Sequence, residues 1–291
     1  MSTVATTTTT TTTAPPSART AEPPARFTDL VAAEWIRLRS LRSTYWVLAV
    51  GALATIAVNV NAVHADLTYL DRPPRPGMPP FVYDPLLHGL NSIGVYLLML
   101  AAGSVGALSV LGEYATGMVR TTFAAVPDRG AVVAAKVVVV SAATLVLGAV
   151  VSAASFFGTN ALLASRHVGL SIGDPGCLRA VTAYALIVPV SALVGIAFGA
   201  VIRHATATIV ALVTLLFIAP LLFGGDRYRI LKEIGNVLPV GAVDRLKENP
   251  GNPYLDPGRY PATITGSWLA LGGWALVSVV VAVVVVRRRD V

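Results

Sequence analysis

The sequence predicts an all-α integral membrane protein with six transmembrane helices and an amphipathic interfacial helix ahead of the first one. Composition and the distribution of charge support this prediction. Of the 291 residues, 55% are hydrophobic and 13% are charged, against about 25% charged residues in ordinary soluble domains. The hydrophobic residues form six long runs without Asp, Glu, Lys or Arg. The remaining charges are too few to cover a soluble domain of this length, which disfavours a soluble enzyme and a disordered chain.

Each of the six runs is long enough for a helix to cross the hydrocarbon of a bilayer, which takes about 20 apolar residues. Buried strands of a soluble fold usually last only about 4–8 residues, so the length of the runs favours helices. The third run extends back to Ala131 if the Lys136 side chain reaches the membrane surface. We predict spans at residues 44–64, 88–111, 137–157, 180–202, 205–223 and 267–286.

The Lys and Arg residues of the short connections set the predicted orientation, because short cytoplasmic loops carry an excess of them. With the N-terminus in the cytoplasm, most of these cations lie inside. We therefore predict a multi-pass protein of the cell (cytoplasmic) membrane with both termini in the cytoplasm. The inside cations are Arg19, Arg26, Arg37, Arg39, Arg42, Arg120, Arg129, Lys136, Arg203 and Arg287–Arg289, and those of the short outside loops are Arg72, Arg75, Arg166 and Arg179.

The chain divides into a tail and one transmembrane domain. Residues 1–26 are rich in Thr and Pro and lack the apolar core of a signal peptide, which predicts a disordered cytoplasmic tail. Residues 27–291 form the predicted transmembrane domain. A single cysteine, Cys177, and four scattered His residues predict no disulfide and no metal site. The net charge is +7, but the cations flank apolar runs as membrane topology requires, so we expect no nucleic-acid partner.

Residues 27–45 carry apolar side chains at helical spacing, with Arg37, Arg39 and Arg42 beside the apolar stripe. This pattern predicts a helix at the membrane surface whose cations face anionic lipid. Glu34 interrupts the stripe and has the i, i+3 spacing for an ion pair with Arg37. Two interpretations stay open: the helix anchors the first span, or it couples the spans to another component.

The segment between the fifth and sixth spans, residues 224–266, has apolar residues at helical spacing and then repeated prolines. It predicts one or two short amphipathic or re-entrant helices at the outer face, followed by irregular chain. The alternative is a surface loop without a role in transport.

The connection between the second and third spans, residues 112–136, begins with polar residues and lies between two spans. Glu113 stands where the helix leaves the membrane, Gly117 marks a break, and residues 127–130 have the composition of a turn. We expect a short helix parallel to the membrane over Tyr114–Val126.

Short motifs stand at three topological positions: before and into the first span, after the second span, and after the last span. They are Ala33-Glu34-Trp35, Arg37-Leu38-Arg39-Ser40, Arg42-Ser43 and Tyr45-Trp46, then Glu113-Tyr114, Thr116-Gly117, Arg120-Thr121, Pro127 and Arg129, then Arg287-Arg288-Arg289-Asp290. Together they resemble the connecting helix, the first cytoplasmic loop and the C-terminal end of ABC-2 type ABC-transporter permeases, which have a type V exporter-like fold. The resemblance covers nearly the whole chain after the tail.

The resemblance implies that the loop after the second span is a coupling helix in contact with separate ABC ATPase subunits. It also implies two permease copies, identical or different, with ATP and Mg²⁺ bound by the ATPase partners. This chain contains no phosphate-binding loop motif, so we expect no cofactor and no enzyme activity on it. The residues that the resemblance assigns are Glu113, Tyr114, Thr116, Gly117, Arg120 and Thr121 in the loop and Trp35, Arg37 and Arg39 in the connecting helix.

The predicted spans hold no charged residue, and their only histidines, His64 and His88, stand at outer ends. Ion-driven transporters keep ionisable groups inside their spans, so the energy for transport must come from a partner. Together with the resemblance, which alone implies export, this leads us to expect a permease subunit that exports a drug-like, peptide or lipid substrate. The alternatives are a non-transport membrane scaffold or immunity protein, and a membrane enzyme acting on lipids or peptides. Small residues of the second span, such as Gly103 and Gly106, fit a transport pathway or ordinary helix packing.

Overall fold

The computed structural model of the protein describes residues 26–70, 83–126, 128–252 and 258–288. The side chains of Tyr69, Val119 and Arg120 lie outside this description. The predicted tail lies outside it too, apart from Arg26, and so do Pro127, Arg289 and Asp290 of the motifs.

The regular structure of the described residues is helical throughout and contains no strand, as the sequence predicts. A π-helical turn at Thr214–Ile218 separates α8 from α9. The helices are α1 (Phe27–Ser40), α2 (Arg42–Leu70), α3 (Pro85–Gly89), α4 (Ser92–Ala115), α5 (Met118–Ala125), α6 (Arg129–Ala164), α7 (Cys177–Ile202), α8 (Ala205–Val213), α9 (Ala219–Phe223), α10 (Arg229–Val237), α11 (Pro239–Lys247) and α12 (Ile264–Arg288).

Six helical segments within the described residues are long and apolar enough to cross a membrane, which confirms the six predicted spans. Five of them extend beyond the predicted bounds, and the segment at Ala205–Phe223 coincides with its prediction. The third begins at Arg129, where Oδ1 of Asp128 accepts hydrogen bonds from the amides of Gly130 and Ala131 at 3.0 and 3.1 Å. The segments are Arg42–Thr68, Pro85–Ala115, Arg129–Ala164, Cys177–Ile202, Ala205–Phe223 and Ile264–Arg288.

Helix α7 is the centre of the bundle, and α4, α6, α11 and α12 surround it. Small residues let the backbones of these helices come close. A methyl group on Gly195 of α7 would lie 2.0 Å from the carbonyl oxygen of Gly103, and one on Gly106 of α4 would lie 2.0 Å from that of Ala192. These contacts place the small residues of the second span in helix packing, where close approach gains van der Waals contact in a lipid solvent.

Polar side chains join the spans around the side chain of Asn59, which is fully buried. Its amide nitrogen donates to the Ser155 hydroxyl at 2.9 Å and to the Tyr184 hydroxyl at 3.1 Å. Its oxygen accepts from the backbone amide of Asn91 at 3.1 Å. One amide thus bonds groups of α6, α7 and the residue before α4, and hydrogen bonds of this kind stabilise contacts between membrane helices.

The sequence predicts one or two short helices between the fifth and sixth spans, and the structure has two, α10 and α11, of which α11 packs between α7 and α12. We call this side of the bundle the α11 end and the opposite side the α1 end. Lys247, at the end of α11, is 2% exposed. Its ammonium donates to the carbonyl oxygen of Leu90 at 2.9 Å and to the Ser92 hydroxyl at 3.1 Å, and it lies 2.9 Å from Asp244. These bonds fasten α11 to the start of α4.

The fifth span contains the π turn directly before Pro220. Proline has no amide hydrogen and cannot donate to the carbonyl four residues earlier. The amide of Ala219 bonds the carbonyl oxygen of Thr214, which is the wider spacing of a π turn. The span therefore consists of two α-helical halves with one extra residue between them.

We predict that Gly195→Ala lowers the midpoint of thermal unfolding in detergent, because the new methyl group meets backbone atoms that cannot rotate away. Overpacking of this kind costs about 1–3 kcal/mol. The matched control is Gly272→Ala in α12, where nothing lies within 4 Å of the added methyl group. Equal midpoints for the two variants would contradict the close contact between α4 and α7.

Candidate functional site

A cluster of four charged side chains, three buried and one partly buried, lies at the α1 end, where α1, α4 and α6 meet. The ammonium of Lys136 in α6 lies 2.6 Å from Oε2 of Glu34 and 2.6 Å from Oε1 of Glu113. Glu34 comes from the middle of α1, and Glu113 from the last turn of α4. One ammonium therefore links three helices.

The guanidinium of Arg37 completes this ion-pair cluster. It lies 2.9 Å from Oε1 of Glu34, which is the i, i+3 pair that the spacing indicates, and it also contacts Oε1 of Glu113. Its second terminal nitrogen donates to the sulfur of Met118, the first residue of α5, at 3.3 Å. Arg37 thus joins α1 to the end of α4 and the start of α5.

The charges of the ion-pair cluster balance, with two carboxylates against one ammonium and one guanidinium. Glu34 is 7% exposed, Glu113 9% and Lys136 3%. Burial of a charged group costs several kcal/mol unless it is paired and hydrogen-bonded. Each carboxylate accepts from both cations, so the pairing compensates the burial.

The side chain of Lys136 is bound by protein groups. The third span begins before Lys136, as considered from the sequence, and the ammonium turns inward to the two glutamates rather than outward to water. Charge-assisted hydrogen bonds to carboxylates on two neighbouring helices hold it there.

The loop after α4 differs from the prediction of a single helix over Tyr114–Val126. The predicted start of that helix is wrong. Tyr114 belongs to the last turn of α4, and a separate helix, α5, begins at Met118. Gly117 stands between them with a φ of +69°, which is the left-handed conformation that glycine adopts without strain. The expected break at Gly117 is confirmed.

Aromatic side chains of this loop form cation–π contacts with arginines of neighbouring helices. The guanidinium of Arg203, at the end of α7, lies 4.7 Å from the centre of the Tyr114 ring. That of Arg129, at the start of α6, lies 5.2 Å from the centre of the Phe123 ring. Contacts of this kind contribute about 0.5–2 kcal/mol each. They hold the loop against α6 and α7 as well as α1.

The hydroxyls of the two assigned threonines bond within the loop. Thr116 donates to the carbonyl oxygen of Gly112 at 2.8 Å, and Thr121 donates to that of Met118 at 2.9 Å. Both residues are exposed, as are Gly117 and Met118. The loop thus has an inner side fixed by Glu113 and Tyr114 and an outer side open to another molecule.

The structure brings together only part of the residues assigned by resemblance. Arg37 and Glu113 meet in the ion-pair cluster, and Tyr114 lies next to it. Trp35 and Arg39 are exposed and line a separate groove beside α2 and α6. The backbone of Arg120 lies in α5, but its side chain is outside the described part of the chain.

Sequence reasoning assigned no role in the site to Glu34 and Lys136. Both carried a signal, because each interrupts an otherwise apolar pattern beside a membrane span. A charge at such a position needs a partner of opposite sign. The sequence did not show which distant residue supplies that partner.

The ion pairs of the cluster fasten α1, α4 and α6 to one another. Across residues 26–70, 83–126, 128–252 and 258–288, no group of three or more His, Cys, Asp or Glu side chains is placed to hold a metal ion.

The sequence matches no family model and no curated protein.

We predict that Lys136→Met lowers the midpoint of thermal unfolding strongly, because it leaves two buried carboxylates without their ammonium. Removal of one partner of a buried pair costs about 3–5 kcal/mol. Adding Glu113→Gln to this variant should recover part of the loss, since one of the uncompensated charges is removed.

The matched control is Arg229→Gln, which breaks an ion pair of 2.7 Å on the exposed surface of α10. It should leave the midpoint unchanged, because water and salt screen exposed pairs. A Lys136→Met variant as stable as this control would show that the ion-pair cluster does not hold the helices together.

Proposed function

We propose that the chain is the membrane permease subunit of an ATP-driven transporter of the ABC-2 type. It would export a drug-like, peptide or lipid substrate, with ATP hydrolysed by separate ATPase subunits and a second permease copy beside it. The observation that carries the proposal is the largely buried ion-pair cluster of Glu34, Arg37, Glu113 and Lys136. It joins an exposed loop to the connecting helix and to a span.

The outer side of the loop is the proposed contact for an ATPase. Gly117, Met118 and Thr121 are exposed there, on a two-turn helix held at both ends. Glu113 in the ion-pair cluster fixes its beginning, and the guanidinium of Arg129 in α6 lies against the ring of Phe123 near its end. A push on α5 would act through these contacts on α1 and α6.

Movement of α6 reaches the rest of the bundle through α7, against which it packs. A methyl group on Gly148 of α6 would lie 2.3 Å from the carbonyl oxygen of Ala185 in α7. Close-packed backbones move together or adopt a second discrete arrangement. This supports alternating access driven from the loop.

The interior of the bundle supports an external energy source. Between the ion-pair cluster and the α11 end, the buried polar groups of the described spans include the hydroxyls of Thr55 and Ser155 and the amide of Asn59. Hydroxyl and amide groups do not bind and release protons near neutral pH. A neighbouring protein that hydrolyses ATP fits such spans.

A second permease copy has apolar surface available on the fifth span. Val210, Leu221 and Leu222 of α8 and α9 are 59%, 63% and 68% exposed. A membrane helix exposes such residues to lipid or to another helix. The proposal places the second copy on this side.

The proposed orientation predicts that the loop reacts with thiol reagents only from the cytoplasm. We would introduce Thr121→Cys into a Cys177→Ser background, since Cys177 is the only cysteine and is buried. A membrane-impermeant maleimide should label the introduced thiol in inverted vesicles and not in intact cells. The control, Arg229→Cys on α10, should show the opposite pattern. Labelling of the Thr121→Cys variant from outside the cell would contradict the orientation and the ATPase contact with it.

The proposed coupling predicts separate defects for the two sides of the loop. With a candidate ATPase subunit co-expressed, Thr121→Arg should weaken its capture about tenfold, or roughly 1.4 kcal/mol, because it places a large cation in the contact. Glu113→Gln should retain capture and lose the increase in ATP turnover that the permease causes, because the end of α4, which leads into α5, then loses its ion pairs with Arg37 and Lys136.

Capture and reconstituted ATP turnover are the measurements, and Arg229→Gln at the α11 end is the control for both. A chain that never captures an ATPase, with or without Thr121→Arg, would favour the non-transport scaffold. Catalysis by the purified chain without a partner would favour a membrane enzyme.

A further inference from the structure

An apolar groove runs along the surface of the bundle at the α1 end, between α1, the start of α2 and the middle of α6. Its volume is about 500 Å³. Leu38 forms one wall, Leu48 and Ala49 form another, and Ala142, Ala143 and Val146 form the floor. Arg39 is the only charged side chain that lines it among the described residues.

The groove faces the bilayer. It lies between two of the candidate spans, Arg42–Thr68 and Arg129–Ala164, on the outer surface of the bundle. Its floor runs from Ala142 to Val150, which is about 12 Å of helix at about 1.5 Å per residue. That length approaches the hydrocarbon thickness of one leaflet, about 15 Å, which is half of a core of about 30 Å. The groove is therefore accessible to the acyl chains of lipids.

Aromatic residues place the charged end of the groove at the membrane surface. Trp35 and Tyr45 line it and are 46% and 51% exposed, and such side chains concentrate at the level of lipid headgroups. Arg39 stands at the same end. The groove therefore has one cationic end at headgroup depth and an apolar remainder, which is the polarity of an anionic phospholipid.

Arg39 is available for a ligand in a way that Arg37 is not. Arg37 is held by Glu34 and Glu113, whereas Arg39 has no ion-pair partner among the described residues. A guanidinium binds a phosphate through two parallel hydrogen bonds, which makes it a strong headgroup ligand.

A second copy of the chain fits the groove less well than a lipid. Each acidic side chain described at the α1 end already has a partner, and none of them pairs with Arg39. Asp29 accepts from the backbone of Arg26, Asp128 caps α6, and Glu34 and Glu113 belong to the ion-pair cluster.

We propose that this groove binds one anionic phospholipid of the leaflet at the α1 end, with an acyl chain against α6 and the headgroup phosphate on Arg39. The site does not depend on the proposed transport function. Because the lipid contacts α1, α2 and α6 together, it fills the space between the connecting helix and two spans.

Quenching of Trp35 fluorescence tests the site in the full chain. Of the four tryptophans, Trp46, Trp268 and Trp274 are replaced by Phe, so that emission reports the groove. The protein is reconstituted in phosphatidylcholine with increasing brominated phosphatidylglycerol, and then with the brominated and plain lipids exchanged. If Trp35 meets only bulk lipid, its fluorescence is quenched equally in the two series. If an anionic lipid binds in the groove, quenching is stronger in the series in which phosphatidylglycerol carries the bromine.

We expect brominated phosphatidylglycerol to quench Trp35 at a mole fraction about fivefold lower than brominated phosphatidylcholine, the preference that one surface cation supplies. Arg39→Gln should abolish the preference, and the matched control Arg288→Gln, an exposed cation at the end of α12, should preserve it. Ala143→Phe, which fills the floor, should reduce quenching by both lipids.

Equal quenching by the two lipids, or a preference that survives Arg39→Gln, would overturn the proposal. So would a disulfide between two copies through Ala143→Cys in a Cys177→Ser background, since the groove would then be covered by protein. The exposed position of Arg39 keeps the Arg39→Gln result interpretable even if Ala143→Phe disturbs folding.

Discussion

The architecture at the α1 end depends on the pairing of Lys136 with Glu34 and Glu113. Three helices each bring a charge that is costly to bury unpaired, and the three charges are paired because the helices touch. Hydrophobic contact would not specify which helix faces meet, because an apolar face can pack against lipid as well as against another helix. Charge thus fixes which faces meet, and Arg37 extends the same constraint to α5.

The two ends of the bundle use the same physical solution with different chemistry. At the α11 end, the buried ammonium of Lys247 binds a carbonyl oxygen, a hydroxyl and a carboxylate. At the α1 end, the cations find carboxylates on other helices. Between them, backbone contacts of Gly103, Gly106 and Gly195 allow α4 and α7 to pack closely without charge. The charges are thus placed where chain leaves the spans, and small residues hold the interior.

The spans were predictable from sequence because their signal is local and redundant. Each apolar run satisfies its own backbone hydrogen bonds by forming a helix, independently of the neighbouring segments. The break at Gly117 and the short helices α10 and α11 were predictable for the same reason. The partners of Lys136 were not, because Glu34 and Glu113 are 102 and 23 residues away and charge spacing along the chain does not reveal which helix faces meet. The loop helix was placed too early because its polar start continued the apolar helix for one more turn.

The π turn of the fifth span gives its two halves different neighbours. Leu212 and Leu216, before and within the turn, are buried, whereas Leu221 and Leu222 beyond it are exposed. One inserted residue offsets the facing of the second half by about 100°, the angle of a single residue in a helix. The first half therefore keeps one face in the bundle, whereas the second half exposes its leucines and packs against α10, and its rotation would change if the π turn relaxed to α-helical spacing.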